Sequence, residues 1–273
     1  MNPSPSSPPG PPRVLVIAAS DPTAGAGVQA DCLTLASLGC HPLTAITALT
    51  VQDSVGVACV QPVAADMVER QARVVLADMP VAAIKVGVLG SAGNALAVAA
   101  IAADCRRTPL VLDPVLASGR GDELAGEAVI AALRDALLPR VTLLTPNAPE
   151  ARRLAGCGDD APLAACARRL IDMGARHVLI TGGHDGTSAV VNTLYGADGV
   201  IRRDSWERLP GGYHGSGCTL ASAIAARLAG GADIEEAVRE AQEYTWQTLR
   251  HAFRAGQGQA IPDRFFQARQ NET

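Results

Sequence analysis

Short runs of apolar, β-branched residues alternate with helical stretches along most of the 273 residues, and this alternation constrains the fold most. The first run, residues 14–18, contains no polar side chain, so it predicts a strand that is buried on both faces of a sheet. Similar runs recur as far as residues 177–180. The pattern predicts an α/β fold: a single domain with a mostly parallel central sheet and helices on both faces.

Three segments depart from this alternation. Residues 57–63 follow the second predicted strand too closely for a crossover helix, so they predict a small β flap. Residues 188–195 and 200–206 predict an antiparallel pair. The N-terminus is rich in Pro and Ser, and we expect residues 1–12 to be disordered and residues 13–273 to form the domain.

Charge and cysteine content exclude several classes of function. The net charge is −4 and the basic residues are scattered, which argues against a nucleic-acid partner. No apolar run is long enough to span a membrane, so we expect no membrane association. The seven cysteines contain no C-x-x-C pair. They are typical of free thiols in a reducing compartment, which predicts a cytoplasmic protein.

Polar residues and glycines follow the predicted strands, at the positions where each strand ends. They are Ser20-Asp21, Gln52-Asp53, Asp113, residues 145–147 and residues 181–183. In open parallel sheets ligands bind beyond the carboxyl ends of the strands. The sequence therefore predicts one ligand site along this edge, although ordinary loop polarity is an alternative explanation.

A glycine-rich stretch, residues 213–219, leads directly into an alanine-rich helix. Gly215 and Gly217 allow a sharp turn and a close backbone approach to a ligand. The first turn of a helix has unpaired N–H groups and the positive end of the helix dipole, so it predicts an anion site. Cys218 lies there, and we expect its pKa to be lowered toward the thiolate. The alternative is a capped core helix in which Cys218 is a small buried residue.

The other motifs each have a chemical and a structural interpretation. Asp113 is either a Mg²⁺ ligand or part of a turn-forming Asp-Pro pair. Asn147 and Glu150 either order a metal with its waters or form a helix capping box. Residues 181–183 offer backbone N–H groups to a phosphate, and residues 25–31 add a second such loop with a carboxylate at Asp31. No Walker-type P-loop is present, and the dinucleotide-binding signal is weak.

Seven motifs, taken in order, resemble the hydroxymethylpyrimidine/phosphomethylpyrimidine kinases of thiamine biosynthesis, within the ribokinase-like superfamily. They are residues 20–31, 47–53, 85–89, 111–115, 144–147 with Glu150, 182–184, and 214–220. The resemblance implies a ribokinase-like domain that uses ATP and Mg²⁺. It implies phosphorylation of 4-amino-5-hydroxymethyl-2-methylpyrimidine and then of its monophosphate to the diphosphate. It also favours a homodimer formed through the flap.

The resemblance also assigns roles to individual residues. Cys218 falls where most of the superfamily has an aspartate base, and Gly215, Ser216 and Gly217 belong to the same catalytic turn. Gln52 matches the residue that binds the aminopyrimidine. The remaining positions are the substrate-site residues Asp31, Gly27 and Val88, the ATP- or phosphate-binding residues Asn147, Thr181, Gly182 and Gly183, and the Mg²⁺ ligands Asp113 and Glu150, acting partly through water.

Four positions differ from the residues that are common in this family. Val88 replaces Met, Leu33 replaces Lys, Thr181 replaces Lys, and Ser216 replaces Thr. The loss of Lys at 181 removes a phosphate-binding cation. These changes bear on the breadth of substrates more than on the type of reaction. Three alternatives stay open: a pyridoxal or pyridoxine kinase, a non-catalytic ligand-binding relative and, least favoured, a nicotinamide-dependent oxidoreductase.

Overall fold

The computed structural model describes residues 10–117, 121–183 and 188–270. The strands are β1 (Arg13–Ser20), β2 (His41–Gln52), β3 (Val57–Pro62), β4 (Ala83–Val86), β5 (Leu110–Leu112), β6 (Leu143–Leu144), β7 (His177–Ile180), β8 (Ala189–Gly196) and β9 (Gly199–Glu207). The α-helices are α1 (Gly27–Ser37), α2 (Ala65–Asp78), α3 (Ala92–Asp104), α4 (Glu127–Ala132), α5 (Ala148–Ala155), α6 (Leu163–Asp172), α7 (Ser216–Ala229), α8 (Ile234–Arg250) and α9 (Phe266–Gln270).

The strands form one 9-stranded sheet in the order β3-β2-β1-β4-β5-β6-β7-β8-β9. Strands β2, β1, β4, β5, β6 and β7 are parallel, whereas β3 at one end and β8 and β9 at the other pair antiparallel with their neighbours. This confirms the predicted single α/β domain with a mostly parallel sheet. Strand β3 forms the predicted flap by pairing with the end of β2.

Strand β1 shows why the sheet is covered on both faces. Leu15 and Ile17 point into a core under α2 to α6, and Val14 and Val16 point into a second core under α1, α7 and α8. Successive strand residues face opposite sides of a sheet, so an unbroken apolar run requires helices on both sides. Within the described residues, none of the helices is long and apolar enough to cross a lipid bilayer.

Two elements have irregular ends. Helix α4 begins at Glu127, and Leu133–Leu137 continue it as a π-helical turn. Strand β6 contains only Leu143–Leu144. Helix α9 was not predicted. Of the predicted disordered N-terminus, residues 1–9 lie outside the described residues.

Residues 252–264, which we call the C-terminal strap, run back over the carboxyl edge of the sheet. Phe253 and Ile261 pair with each other, and the N–H of Gln259 donates to the carbonyl of Ser54 at 2.9 Å, beside the flap. The N–H of His214 donates to the carbonyl of Ala260, also at 2.9 Å. The strap therefore ties the flap to the glycine-rich stretch before α7.

Candidate active site

A cavity of about 640 Å³ opens at the carboxyl edge of the sheet. Its wall includes most of the residues singled out from the sequence: Gly27, Gln52, Val88, Asp113, Asn147, Glu150, Thr181, Gly182, Gly215, Ser216, Gly217 and Cys218. Two others, Asp31 and Gly183, do not line it. The topology thus collects side chains from loops after β1, β2, β4, β5, β6 and β7 around the start of α7.

Helix α7 begins directly at the cavity. Gly215 precedes it in the left-handed region, with φ of 82°, and no side chain caps the helix. The N–H of Thr219 makes the first intrahelical bond, to the carbonyl of Gly215 at 2.9 Å. Among the described residues, the N–H groups of Ser216, Gly217 and Cys218 have no hydrogen-bond acceptor. Three amides at the positive end of a helix dipole form a site for an anion.

The glycine-rich stretch interlocks with the loop between β1 and α1. A Cβ atom at Gly215 would collide with the carbonyl of Gly25, and one at Gly25 would collide with the ring of His214. His214 Nε2 lies 2.8 Å from Oδ2 of Asp21, which also accepts a bond from the N–H of Ala26 at 2.7 Å. Burial alone would raise the pKa of Asp21, but His214 and the loop amides hold it below its ordinary value.

Cys218 has the opposite ionisation from the one expected at a helix N-terminus. The thiol is buried, and this burial raises its pKa to about 12, although the nearby Lys85 ammonium opposes the rise. The predicted lowering of its pKa toward the thiolate was therefore wrong. Loss of hydration has the largest influence on its pKa, so Cys218 is a protonated thiol at neutral pH.

Asp113 and Glu150 form a pair of buried carboxyl groups on the cavity wall. Burial raises the pKa of Asp113 to about 6, opposed by Lys85, and Oδ2 of Asp113 has no hydrogen-bond partner among the described residues. Burial, with the charge of Asp113, raises the pKa of Glu150 to about 8. Glu150 and Asn147 also form a capping box at α5, with both bonds at 2.9 Å. The capping interpretation is therefore correct, and both residues still face the cavity.

This pair fits a divalent cation. An orphaned buried carboxylate oxygen next to a second carboxyl group, with both pKa values raised, is the arrangement expected where a cation would relieve repulsion. The described residues contain no group of three or more His, Cys, Asp or Glu side chains arranged for a metal. A cation that keeps most of its water and uses phosphate oxygens, as Mg²⁺ does, matches such a sparse donor set.

Asp31 lies behind the cavity wall and does not reach the cavity. Its carboxylate is fully buried and lies 2.8 Å from Nζ of Lys85, which is also fully buried. The hydroxyl of Ser222 donates to Asp31 at 2.7 Å. Burial by itself would lower the pKa of Lys85, but the charge of Asp31 outweighs this and raises it. Asp31 therefore compensates a buried cation, and the structure gives it no direct route to a ligand in the cavity.

The turn that follows β7 uses its amide internally. The N–H of Gly182 donates to Oδ1 of Asn192 at 2.9 Å, and Asn192 in turn donates to Oε1 of Gln242 at 2.8 Å. A Cβ at Gly182 would lie 2.5 Å from the carbonyl of Val191, so the close approach of the two strands requires glycine. His184, the last residue of this motif, lies outside the described residues.

Gln52 and Val88 lie at the flap end of the cavity. Gln52 is the last residue of β2, and its backbone pairs with Val57 of β3, which positions its half-buried side chain. Among the described residues, no hydrogen bond is made by that amide side chain. It is therefore available to a ligand that presents both a donor and an acceptor.

Sequence reasoning gave no role to several residues that shape this site. Asp21 and His214 belong to recognised motifs, but they are 193 residues apart, and only the folded chain shows that their side chains pair. Asn192 and Gln242 lie in plain strand and helix patterns. Arg264 lies in the C-terminal strap, where no periodic pattern or motif marks it. In each case the hydrogen-bond partner is distant in sequence, so no local sequence pattern marks the residue.

Comparisons with known proteins agree with this geometry. The sequence profile of the phosphomethylpyrimidine kinase family matches residues 21–263. A hydroxymethylpyrimidine/phosphomethylpyrimidine kinase of Mycobacterium tuberculosis is 43% identical over 268 residues, covering 94% of this chain and 96% of the relative.

Two solved structures show the same architecture. A pyridoxal kinase from Staphylococcus aureus in complex with AMP-PCP superposes with a TM-score of 0.87 at 30% identity, covering 96% of each chain. A phosphomethylpyrimidine kinase from Clostridium difficile has a TM-score of 0.75 at 31% identity, covering 87% of this chain and 99% of that one. With the profile match and the 43% identity, they lead to one conclusion: the chain belongs to the phosphomethylpyrimidine kinase family.

Proposed function

We propose that this protein transfers the γ-phosphoryl group of ATP to the hydroxymethyl group of 4-amino-5-hydroxymethyl-2-methylpyrimidine. It then phosphorylates the monophosphate to the diphosphate, within thiamine diphosphate biosynthesis. The observation that supports this most is one cavity in which three unpaired amides of α7 face the carboxyl pair of Asp113 and Glu150. Phosphoryl transfer needs this combination, because catalysis depends on positioning and charge stabilisation.

The amides of Ser216, Gly217 and Cys218 would bind the oxygens of the phosphoryl group during transfer. They are fixed before the substrate arrives, because Gly215 is pressed against Gly25. Donors that need no reorganisation are the most effective way to stabilise charge in a transition state.

At the acceptor end, Gln52 would bind the aminopyrimidine edge, with Gly27 and Val88 beside the ring. Cys218 would lie beside the hydroxymethyl group as a protonated thiol. Its pKa of about 12 favours a role in orienting the hydroxyl group over a role as a preformed base.

At the nucleotide end, Asn147, Thr181 and Gly182 would border the phosphates, and the apolar side chains of Val190, Leu220 and Leu249 offer a surface for a purine base. Asp113 and Glu150 would hold Mg²⁺, partly through water. When bound, Mg²⁺ supplies positive charge that neutralises the phosphate oxygens.

Steady-state kinetics with three acceptors tests the proposal. Each assay combines Mg-ATP with the pyrimidine alcohol, its monophosphate or pyridoxal, and the products are identified by mass. We expect kcat/KM for the pyrimidine alcohol to exceed that for pyridoxal, and Gln52→Leu to lower it more than it lowers pyridoxal turnover. If no acceptor is phosphorylated, the protein is a non-catalytic relative and the proposal is wrong.

A pyridoxal kinase is the second candidate. The high structural similarity to the Staphylococcus aureus pyridoxal kinase favours it, as does Thr181 in place of the lysine common in pyrimidine kinases. A kcat/KM for pyridoxal above that for the pyrimidine alcohol would select this function.

We also propose a homodimer formed through the flap. Leu49 and Val51 of β2 are 54% and 63% exposed, so the flap presents two large apolar side chains that a second copy of the chain would cover. Light scattering on the purified protein gives the molar mass. A mass of twice 28.0 kDa is expected, and a monomer at micromolar concentration would contradict the proposal.

A further inference from the structure

Arg264 lies in the C-terminal strap and reaches beneath the start of α7. It is only 3% exposed. Its Nη2 donates to the carbonyl of Gly25 at 2.6 Å, its Nη1 donates to the carbonyl of Ala24 at 3.3 Å, and its Nε donates to the hydroxyl of Thr219 at 3.1 Å. One side chain thus joins the loop after β1 to the first turn of α7, which are the two segments that interlock at the cavity.

The guanidinium of Arg264 bonds only neutral acceptors. Among the described residues, no carboxylate lies within ion-pair distance of it, whereas its neighbour Asp263 pairs with Arg269 at the surface. A buried cation without a counter-charge is unfavourable unless something compensates it. Burial accordingly lowers the pKa of Arg264, against the more distant negative charges of Asp31 and Asp21.

The bonds of Arg264 continue into the anion site. The hydroxyl of Thr219, which accepts from Arg264, donates to the carbonyl of Gly215 at 2.8 Å. That carbonyl belongs to the same peptide group as the N–H of Ser216. Hydrogen bonds in a chain polarise one another, so the arginine makes this amide a stronger donor toward the cavity. The carbonyl of Gly25 that Arg264 binds is also the one against which Gly215 packs.

We propose that Arg264 is a positioning residue for phosphoryl transfer, which holds the loop after β1 against the first turn of α7 and places an unpaired positive charge beneath the amides of Ser216 to Cys218. The anion that enters the cavity would be the missing counter-charge. This inference rests on the proposed function, because it assigns Arg264 to the same site.

Two substitutions and two controls test the inference. Arg264→Met removes the charge and all three bonds, and Arg264→Lys keeps the charge. Arg269→Met removes a surface arginine of the same C-terminal segment. Phe266→Leu loosens the packing of α9 against Tyr244 without touching either loop, so it reports the effect of merely weakening this segment.

We expect Arg264→Met to lower kcat by about tenfold or more with both pyrimidine acceptors, less than the 10²- to 10³-fold typical of losing a direct donor. Arg264→Lys should recover part of this loss. Arg269→Met should keep the wild-type kcat, and Phe266→Leu should lower Tm but not kcat. If Arg264→Met lowers Tm and leaves kcat unchanged, as Phe266→Leu does, the residue only fastens the strap and the inference is wrong.

A readout that needs no turnover separates this inference from the proposed function. The rate at which iodoacetamide labels Cys218, followed by peptide mass, reports how well the first turn of α7 is held. We expect Arg264→Met to raise this rate about tenfold over both controls, and an unchanged rate overturns the inference. Absence of turnover in the wild-type protein contradicts the proposed function instead, whatever the labelling shows.

Discussion

Two glycine turns face the same cavity and use their backbone amides in opposite ways. In the turn before α7, Gly215 is followed by three amides that have no acceptor among the described residues. In the turn after β7, the amide of Gly182 is already bonded to Asn192. Both glycines are required by close backbone contacts, with Gly25 in the first case and with Val191 in the second.

The difference shows what a glycine motif in a sequence does and does not reveal. Glycine indicates that the backbone passes close to something. Whether its amides are available to an anion depends on partners elsewhere in the chain, such as Arg264 for one turn and Asn192 for the other. We therefore assign anion binding mainly to α7, and a framework role to Gly182.

The largest combined effect on stability and catalysis is expected from a methyl group at Gly215, in the turn before α7. In Gly215→Ala, the added methyl group would collide with the carbonyl of Gly25. The alanine would also have to adopt the left-handed φ of 82° that Gly215 has. We expect the free energy of unfolding to fall by about 2–4 kcal/mol and kcat to fall about 10²-fold or more, because the amides move.

Gly211→Ala is the matched control for Gly215→Ala. Gly211 also has a positive φ, of 98°, but no atom lies within 4 Å of a Cβ placed there. We expect only the backbone strain, about 1 kcal/mol, and a kcat close to that of the wild type. Urea unfolding and kcat are measured for both variants. Equal kcat values in the two variants would show that the turn before α7 does not position the reaction.

Two of the buried aspartates, Asp31 and Asp113, make a second pair for comparison. Asp113→Asn should lower kcat about 10²-fold or more without destabilising the protein, because it removes an unpaired buried charge. Asp31→Asn should destabilise the fold by about 3–5 kcal/mol, because it leaves Lys85 buried and unpaired. Tm and kcat of the folded fraction distinguish them. The assignment fails if Asp31→Asn lowers kcat as much as Asp113→Asn while both remain equally stable.

The fold could be predicted from the sequence because its signals are local. The apolar run of β1 requires both faces of the sheet to be buried. The connection between β2 and residues 57–63 is too short for a crossover helix, so these residues pair antiparallel with β2 as a flap. The ends of elements were less predictable. Leu133–Leu137 continue helix α4 as a π-helical turn and β6 is two residues long, and no local sequence pattern marks either feature.

The sequence was enough to predict which motifs come together at the site. It was not enough to predict which of their polar atoms lack a hydrogen-bond or ion-pair partner. Asp31, Asp113 and Glu150 look alike as acidic residues in motifs. One is neutralised by Lys85, one has an unpartnered oxygen, and one caps α5. Burial raises the pKa of Cys218, and that burial depends on residues far away in sequence.

A smaller effect is expected at the second turn. Asn192→Leu leaves the N–H of Gly182 without an acceptor and removes the donor to Gln242. We expect KM for ATP to rise about three- to tenfold, with KM for the pyrimidine unchanged, since an unsatisfied buried group costs about 1–3 kcal/mol. Thr248→Val is the control, because among the described residues its buried hydroxyl bonds only within α8. A rise in the pyrimidine KM alone would contradict the framework role of Gly182.

A further prediction concerns the pH dependence of stability. The pKa of Asp113 is about 6 and that of Glu150 about 8, above their ordinary values of 3.8 and 4.5. Between these ordinary and raised values the folded protein binds more protons than the unfolded chain, so stability falls as pH rises from about 5 to about 8. In EDTA, we expect Glu150→Gln to remove most of this fall, measured by urea unfolding at several pH values. An identical pH profile in the wild type and in Glu150→Gln would contradict the pairing of these carboxyl groups.

Amide NMR on ¹⁵N-labelled protein tests most directly whether α7 binds the transferred phosphoryl group. The protein is titrated with Mg-ADP, aluminium fluoride and the pyrimidine alcohol, which together mimic the group in transfer. We predict that the amide signals of Ser216, Gly217 and Cys218 shift strongly and that Gly182 keeps its bond to Asn192 with little change. A large shift at Gly182 with no change at Ser216 to Cys218 would contradict the account.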